Sequence, residues 1–274
     1  MRYIAGVRPA LIISDLDGTL LQPNTAAFEP RVLDVVERLL DAGIPFMPAS
    51  GRQYPSVRQM FGHLAERLSF VCDNGVVAYV DGKLIQRATL DYDLGLEIVR
   101  SIQDCGSCEA MVSGLETYYI SSKSTWFLRY LEDSCGFAVT CTDDLENIGE
   151  PYGKISAFYP DGIGDDLHFW LEHFGSKCTV TTSSDKWLDM MPTGVNKAAA
   201  LAVVLEYLGI DPADVVAFGD AENDVEMLRL VGCPVAKKGS VPSVLACARY
   251  VTSDVVSSLA CILDGLEPGV AVDA

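Results

Sequence analysis

At 274 residues the chain can form one large domain or two smaller ones, and its 49% hydrophobic and 21% charged residues mark a globular protein and exclude a disordered one. Its 38 acidic residues against 20 Lys and Arg give a formal charge of -18. Such a field repels polyanions, so nucleic acid and anionic membrane surfaces are not expected as partners, and a small phosphorylated substrate would need a locally placed metal ion or basic side chains.

In chain order, residues 1–13 hold two arginines but no sustained apolar region and no small-residue cleavage site, so they do not read as a signal peptide. No apolar run approaches the ~20 residues a membrane-spanning helix requires, and the expected location is the cytoplasm. The apolar run at residues 10–13 predicts a strand, residues 29–42 a helix that stops at Gly43, and residues 44–49 a second strand. A helical pattern at 54–68 and a strand at 70–72 extend the rhythm, which implies a parallel sheet covered on both faces. Between residues 81 and 185 the texture changes. Candidate strands at 117–120, 154–158 and 179–182 interleave with helices at 125–135 and 165–174, as in a separate α/β insert. The first rhythm returns with a helix at 197–208, a strand at 215–218 and a helix at 224–230, placed to complete the first sheet.

The 9 cysteines are odd in number and scattered, a pattern of reduced thiols rather than a disulfide framework. Cys105 and Cys108 form a lone C-x-x-C, and Cys135, Cys141, His168 and His173 offer no convincing second pair for zinc. No feature fixes an oligomeric state.

Four strand-end or helix-start segments concentrate polar chemistry. Asp15-Leu16-Asp17-Gly18-Thr19-Leu20 follows the first strand directly and could aim a carboxylate and several backbone N–H groups at one anion; a plain Asx turn is the competing account. Ala49-Ser50-Gly51-Arg52 ends the second strand, where Ser50 could cap a helix or donate to a phosphate. Lys197 in Gly194-Val195-Asn196-Lys197 opens a helix, against the helix dipole. Gly219-Asp220-Ala221-Glu222-Asn223-Asp224 presents oxygen groups suited to a hard cation, or else forms a solvated acidic loop. Chance becomes the weaker account once these segments converge on one sheet edge.

This set, in this order, resembles the haloacid dehalogenase-like superfamily. The insert, with Asp73-Asn74-Gly75 before it and Asp189-Met190-Met191-Pro192-Thr193-Gly194 after it, resembles the Cof-type sugar-phosphate phosphatase branch. The resemblance implies an α/β fold with a Rossmann-like parallel-sheet core from residues 1–80 and 186–274 and an inserted α/β cap domain at 81–185. It implies a phosphatase acting on a small phosphorylated metabolite, a sugar phosphate or related phosphomonoester, through an aspartyl-phosphate. Asp15 would be the nucleophile and Asp17 the acid and base. Ser50, Gly51, Lys197 and Asn223 would bind phosphate, while Asp15, the main-chain carbonyl of Asp17, Asp220 and Asp224 would serve Mg2+. Two departures stand out: Ala198 where relatives commonly carry glycine, and Ala236-Lys237-Lys238-Gly239-Ser240 where they carry a Met-Gly-Asn-Ala-like loop. Arg129, Lys154, Trp126 and Trp187 could line a pocket, but their residue types carry too little signal to be taken as site residues. A phosphomutase, or a phosphate-binding regulatory protein without turnover, would use much of the same constellation.

Overall fold

The computed structural model describes residues 8–21, 25 and 27–272; the start of the segment judged not to be a signal peptide, residues 1–7, lies outside them. Among the described residues no helix is long and apolar enough to cross a membrane.

Strand β1 (Leu11–Ser14) is buried along its whole length, as expected of a central strand in a parallel sheet. It leads to α1 (Pro30–Asp41), β2 (Phe46–Pro48) and α2 (Tyr54–Phe61), the last continued by a 3-10 turn over Gly62–Arg67. Next come β3 (Phe70–Cys72), β4 (Val77–Val80) and β5 (Lys83–Arg87). The following stretch holds α3 (Tyr92–Cys105), β6 (Glu109–Ser113), β7 (Tyr118–Ser121), α4 (Thr125–Arg129) and β8 (Val139–Thr142). It continues with β9 (Lys154–Phe158), α5 (Asp166–Phe174), β10 (Thr179–Thr182) and β11 (Trp187–Met191). After α6 (Lys197–Leu208) the chain forms β12 (Val215–Gly219), α7 (Val225–Leu230) and β13 (Cys233–Lys237). It ends with α8 (Pro242–Cys247), β14 (Tyr250–Thr252), α9 (Val255–Leu263) and β15 (Val270–Ala271).

The first sheet has the order β15-β14-β13-β12-β1-β2 and is parallel except at β15. Successive side chains of a strand point to opposite faces, so Ile12 packs with α1 and α9 while Leu11 and Ile13 pack with α6 and α7. The sheet is therefore covered on both sides, and the carboxyl ends of β1, β2 and β12 open on one edge. The strand at 70–72 does not extend this sheet as the βαβ rhythm suggested. It pairs antiparallel with β4, which pairs with β5, and is joined to the first sheet by the isolated parallel bridge of Val71 with Ala49, just past the end of β2.

A second sheet, β10-β11-β9-β6-β7-β8, carries α3 and α5 on one face, where Ile155, Ala157, Leu188 and Met190 are buried. The same alternation turns Lys154, Ser156 and Phe158 of β9, and Trp187 and Asp189 of β11, to the other face, which lies over the open edge of the first sheet. The insert expected at residues 81–185 differs from these sheet memberships at both ends. β5 stays on the β3-β4 hairpin, with Ile85 packed among residues of α6, and β11, which begins at Trp187, belongs to the second sheet.

Candidate active site

The end of β1 places Asp15 under the sheet edge, its N–H bonded to the carbonyl of Phe218 on β12 at 2.9 Å. Its Oδ1 accepts from Lys197 Nζ at 2.5 Å, and the same ammonium donates to Asp224 Oδ1 at 2.7 Å. Lys197 is fully buried at the start of α6, where Asn196 caps the helix through Ala199 N–H. The conflict between a lysine and a helix N-terminus is thus resolved by two carboxylates. Burial works against the Lys197 charge, but Asp15 and Asp224 outweigh it and raise its pKa.

Asp224 uses its other oxygen, Oδ2, to accept from the N–H groups of Asp220 and Ala221 at 2.9 and 3.1 Å. Asp220 in turn accepts from the Thr19 hydroxyl. Gly18, at φ +90°, allows this closeness, because a Cβ there would overlap the Asp220 carboxylate. Carboxylate oxygens of Asp15, Asp220 and Asp224 lie within 4.8 Å of one another. Burial, then Asp224, pushes the Asp15 pKa well up, with Lys197 opposing and Asp220 adding to the rise. Burial also raises that of Asp220. Asp15 Oδ2 is buried without a hydrogen-bond partner. A buried orphan oxygen beside two further carboxylates and only one ammonium is a donor set that fits a hard divalent cation. Because both Asp224 oxygens already have protein donors, direct ligation would fall mainly to Asp15 and Asp220.

Asp17 stands apart from that cluster. Its side chain is 46% exposed and takes a two-pronged contact from Arg52, Nε to Oδ2 at 2.8 Å and Nη2 to Oδ1 at 2.7 Å. Its carboxylate is therefore not one of the clustered acidic ligands, which leaves only its main-chain carbonyl for a metal. Arg52 also donates to the Cys135 carbonyl at 3.0 Å, and its guanidinium lies 5.3 Å from the Phe137 ring centroid. The Ser50-Gly51-Arg52 pattern assigns Arg52 no role by itself. The signal available was its place just after a strand-end Ser-Gly pair.

Ser50 is fully buried and its Oγ accepts from Arg52 N–H at 3.1 Å, so its hydroxyl proton remains free to donate. Gly51 borders the cavity, and its carbonyl accepts from Lys154 Nζ at 2.6 Å. Asn223 donates to Asn74 Oδ1 at 2.9 Å, and Asn74 to Asp189 Oδ2 at 2.8 Å, tying the acidic loop to the second sheet. Lys237, from the departing loop, donates to the Gly18 carbonyl at 2.6 Å and so braces the Asp15 turn. No sequence pattern marked that role.

A cavity of about 570 Å³ lies between the sheets, lined by Asp15, Asp17, Gly51, Arg52 and Asn223 on one side and by second-sheet residues including Lys154 and Trp187 on the other. Arg129 and Trp126 are not among its lining residues. Cys105 and Cys108 are free thiols and gather no further ligand among the described residues.

The comparisons agree with this geometry. Residues 12–258 match the haloacid dehalogenase-like hydrolase family. The chain is 27% identical over 88% of its length to the 5-amino-6-(5-phospho-D-ribitylamino)uracil phosphatase YbjI of Escherichia coli (strain K12), covering 89% of that protein. It is 30% identical to the HMP-PP phosphatase of Enterobacter sp. (strain 638), over 85% of each chain. A haloacid dehalogenase-like hydrolase from Bacteroides thetaiotaomicron shares the fold, with a TM-score of 0.79 at 21% identity, covering 93% of this chain and 100% of that one. Paired aspartates on a central strand end, a buried lysine bridging two of the acids, and matches over nearly the whole length converge: the chain belongs to the haloacid dehalogenase-like hydrolases, in their Cof-type phosphatase branch.

Proposed function

We propose that this phosphatase hydrolyses a small phosphomonoester through an aspartyl-phosphate on Asp15, with Mg2+ as cofactor. The observation that carries the proposal is the unpartnered, buried Oδ2 of Asp15 beside the clustered Asp220 and Asp224, with Asp15 and Asp17 both lining the cavity. When bound by Asp15, Asp220 and the Asp17 carbonyl, with Asp224 behind them, Mg2+ supplies positive charge that offsets repulsion between carboxylate and phosphate.

Asp15 attacks phosphorus, the bond from phosphorus to the leaving oxygen breaks, and Asp17 hands that oxygen a proton. Lys197 orients the Asp15 carboxylate and adds charge against the phosphoryl oxygens, while the Ser50 hydroxyl, the Asn223 amide and the N–H groups of the Asp15 turn hold those oxygens in place. Asp17, now a carboxylate, takes a proton from a water that attacks the same phosphorus. This frees inorganic phosphate and restores Asp15. The second sheet with its helices, which we delimit at the crossings 88–90 and 192–196, serves as the cap that surrounds the leaving group.

The test is release of inorganic phosphate from a panel of phosphomonoesters with and without chelator, alongside trapping of phosphorylated Asp15 by rapid quench and mass spectrometry. Magnesium-dependent release with labelled Asp15 is expected. Phosphate reappearing at a new position on the substrate would identify a phosphomutase, and turnover undiminished in excess chelator would overturn the metal assignment.

A further inference from the structure

The second-sheet side of the cavity carries a group of aromatic rings. Tyr130, Phe137 and Trp187 are each half-buried and border it, as does Phe158, whose ring centroid lies 4.8 Å from that of Tyr130 and 4.6 Å from that of Trp187. Across the floor, Phe137 lies 4.9 Å from Tyr118.

Four polar groups on the same wall are already engaged. Tyr118 Oη accepts from Gln53 N–H at 2.6 Å, and Lys154 Nζ is shared between the Gly51 carbonyl and Asp73. Asp189 accepts from Ser156 and Asn74, and Lys186 Nζ donates to the Pro160 carbonyl at 2.7 Å. A polyhydroxylated leaving group pressed against the rings would give up water without regaining hydrogen bonds from them. A flat ring loses little on leaving water and can lay its face or edge on the sides of these rings that border the cavity.

From this wall, and resting on the phosphatase reading above, we infer that the leaving group of the substrate carries a planar aromatic or heteroaromatic ring, seated among Tyr130, Phe137, Phe158 and Trp187. Ser184 and Asp185 also border the cavity and supply polar groups that the edge of a heteroaromatic ring could use.

Benzyl phosphate, n-hexyl phosphate and glucose 6-phosphate all release a primary alkoxide, so their chemistry is matched and only the contact with the cap differs. Acetyl phosphate, too small to reach the rings, reports on the core chemistry. With the full chain and magnesium, kcat/KM for benzyl phosphate should exceed that for glucose 6-phosphate by about tenfold or more and should also exceed that for hexyl phosphate. Trp187→Leu, and independently Tyr130→Leu, should reduce the benzyl preference while acetyl phosphate hydrolysis falls by a smaller factor; circular dichroism confirms that each variant is folded. Glucose 6-phosphate equal to or better than benzyl phosphate would overturn the ring site, as would parity of hexyl and benzyl phosphates or equal losses on every substrate in folded variants. Absence of turnover on all four substrates, acetyl phosphate included, would overturn the phosphatase mechanism and the ring site with it.

Discussion

Asp17 has a different task in each chemical step, and because both of its oxygens accept from Arg52, the acid task requires one of those contacts to open. In the first step its proton matters in proportion to how poor the leaving group is; in the second, water attack needs a base whatever has left. Asp17→Asn keeps the main-chain carbonyl. It should release phenol from an aryl phosphate in one burst and then stall as a phosphoenzyme, while hydrolysis of alkyl or sugar phosphates falls by roughly 10²–10⁴-fold. Rapid-quench kinetics with mass spectrometry checks this, and equal losses without phosphorylated Asp15 would reduce Asp17 to a loop-shaping residue. Asp220 tests the acidic cluster. Its folded pKa is raised above the ordinary 3.8 by burial first and by Asp224, so its contribution to stability is present below 3.8 and lost as pH rises through the raised value. At pH 7.5 in excess chelator, Asp220→Asn should therefore raise Tm, by about 2–4 °C if it removes about 1 kcal/mol of strain, although kcat falls. The gain should shrink as pH drops toward 3.8. A lower Tm than wild type at pH 7.5 would mean the carboxylate serves the fold.

Strand β9 shows how one element joins two regions. Alternation buries Ile155 and Ala157 under α3 and α5, which sends Lys154 out of the opposite face into a contact with Asp73 at 3.1 Å and the Gly51 carbonyl at 2.6 Å. Both side chains are almost fully buried, at 3% and 2% exposure, so solvent screens the pair little. Lys154→Met would strand Asp73 and leave the Gly51 carbonyl without this donor. A loss of about 3–5 kcal/mol in urea unfolding is expected, since breaking a buried pair leaves one charge uncompensated. The double variant Lys154→Met with Asp73→Asn should recover part of that loss. No recovery would assign the cost to packing of the lysine stem instead.

Across the whole molecule, a formal charge of -18 and a buried acidic cluster both favour the state that binds a cation. Titrating magnesium into chelator-stripped protein should raise Tm in proportion to the logarithm of its concentration, by about 2.7 kcal/mol at a hundredfold excess over Kd, or roughly 5–10 °C for a chain of this size. Calcium should also stabilise the fold yet support little turnover, because its looser coordination leaves the nucleophile poorly aligned. A flat Tm across the magnesium titration would count against the cluster as a metal site.

The amino-acid sequence by itself determined the strand ends. A buried apolar run followed by Asp15 and Asp17, the helix that Lys197 opens and the strand that closes on Gly219 are local patterns, and α6, β3, β9 and β10 fall on their expected residues for the same reason. Which groups meet was decided only by tertiary structure. Arg52 reaches Asp17 from 35 residues away and Lys197 reaches Asp15 from 182, distances over which spacing carries no signal. Strands β6, β8, β11 and β13 were not legible, because no clean alternation sets them off from their surroundings and their register depends on partners elsewhere in the chain. The aromatic wall followed from that register: Phe158 and Trp187 share a face because they are paired across β9 and β11, and a one-residue slip would have put them on opposite faces.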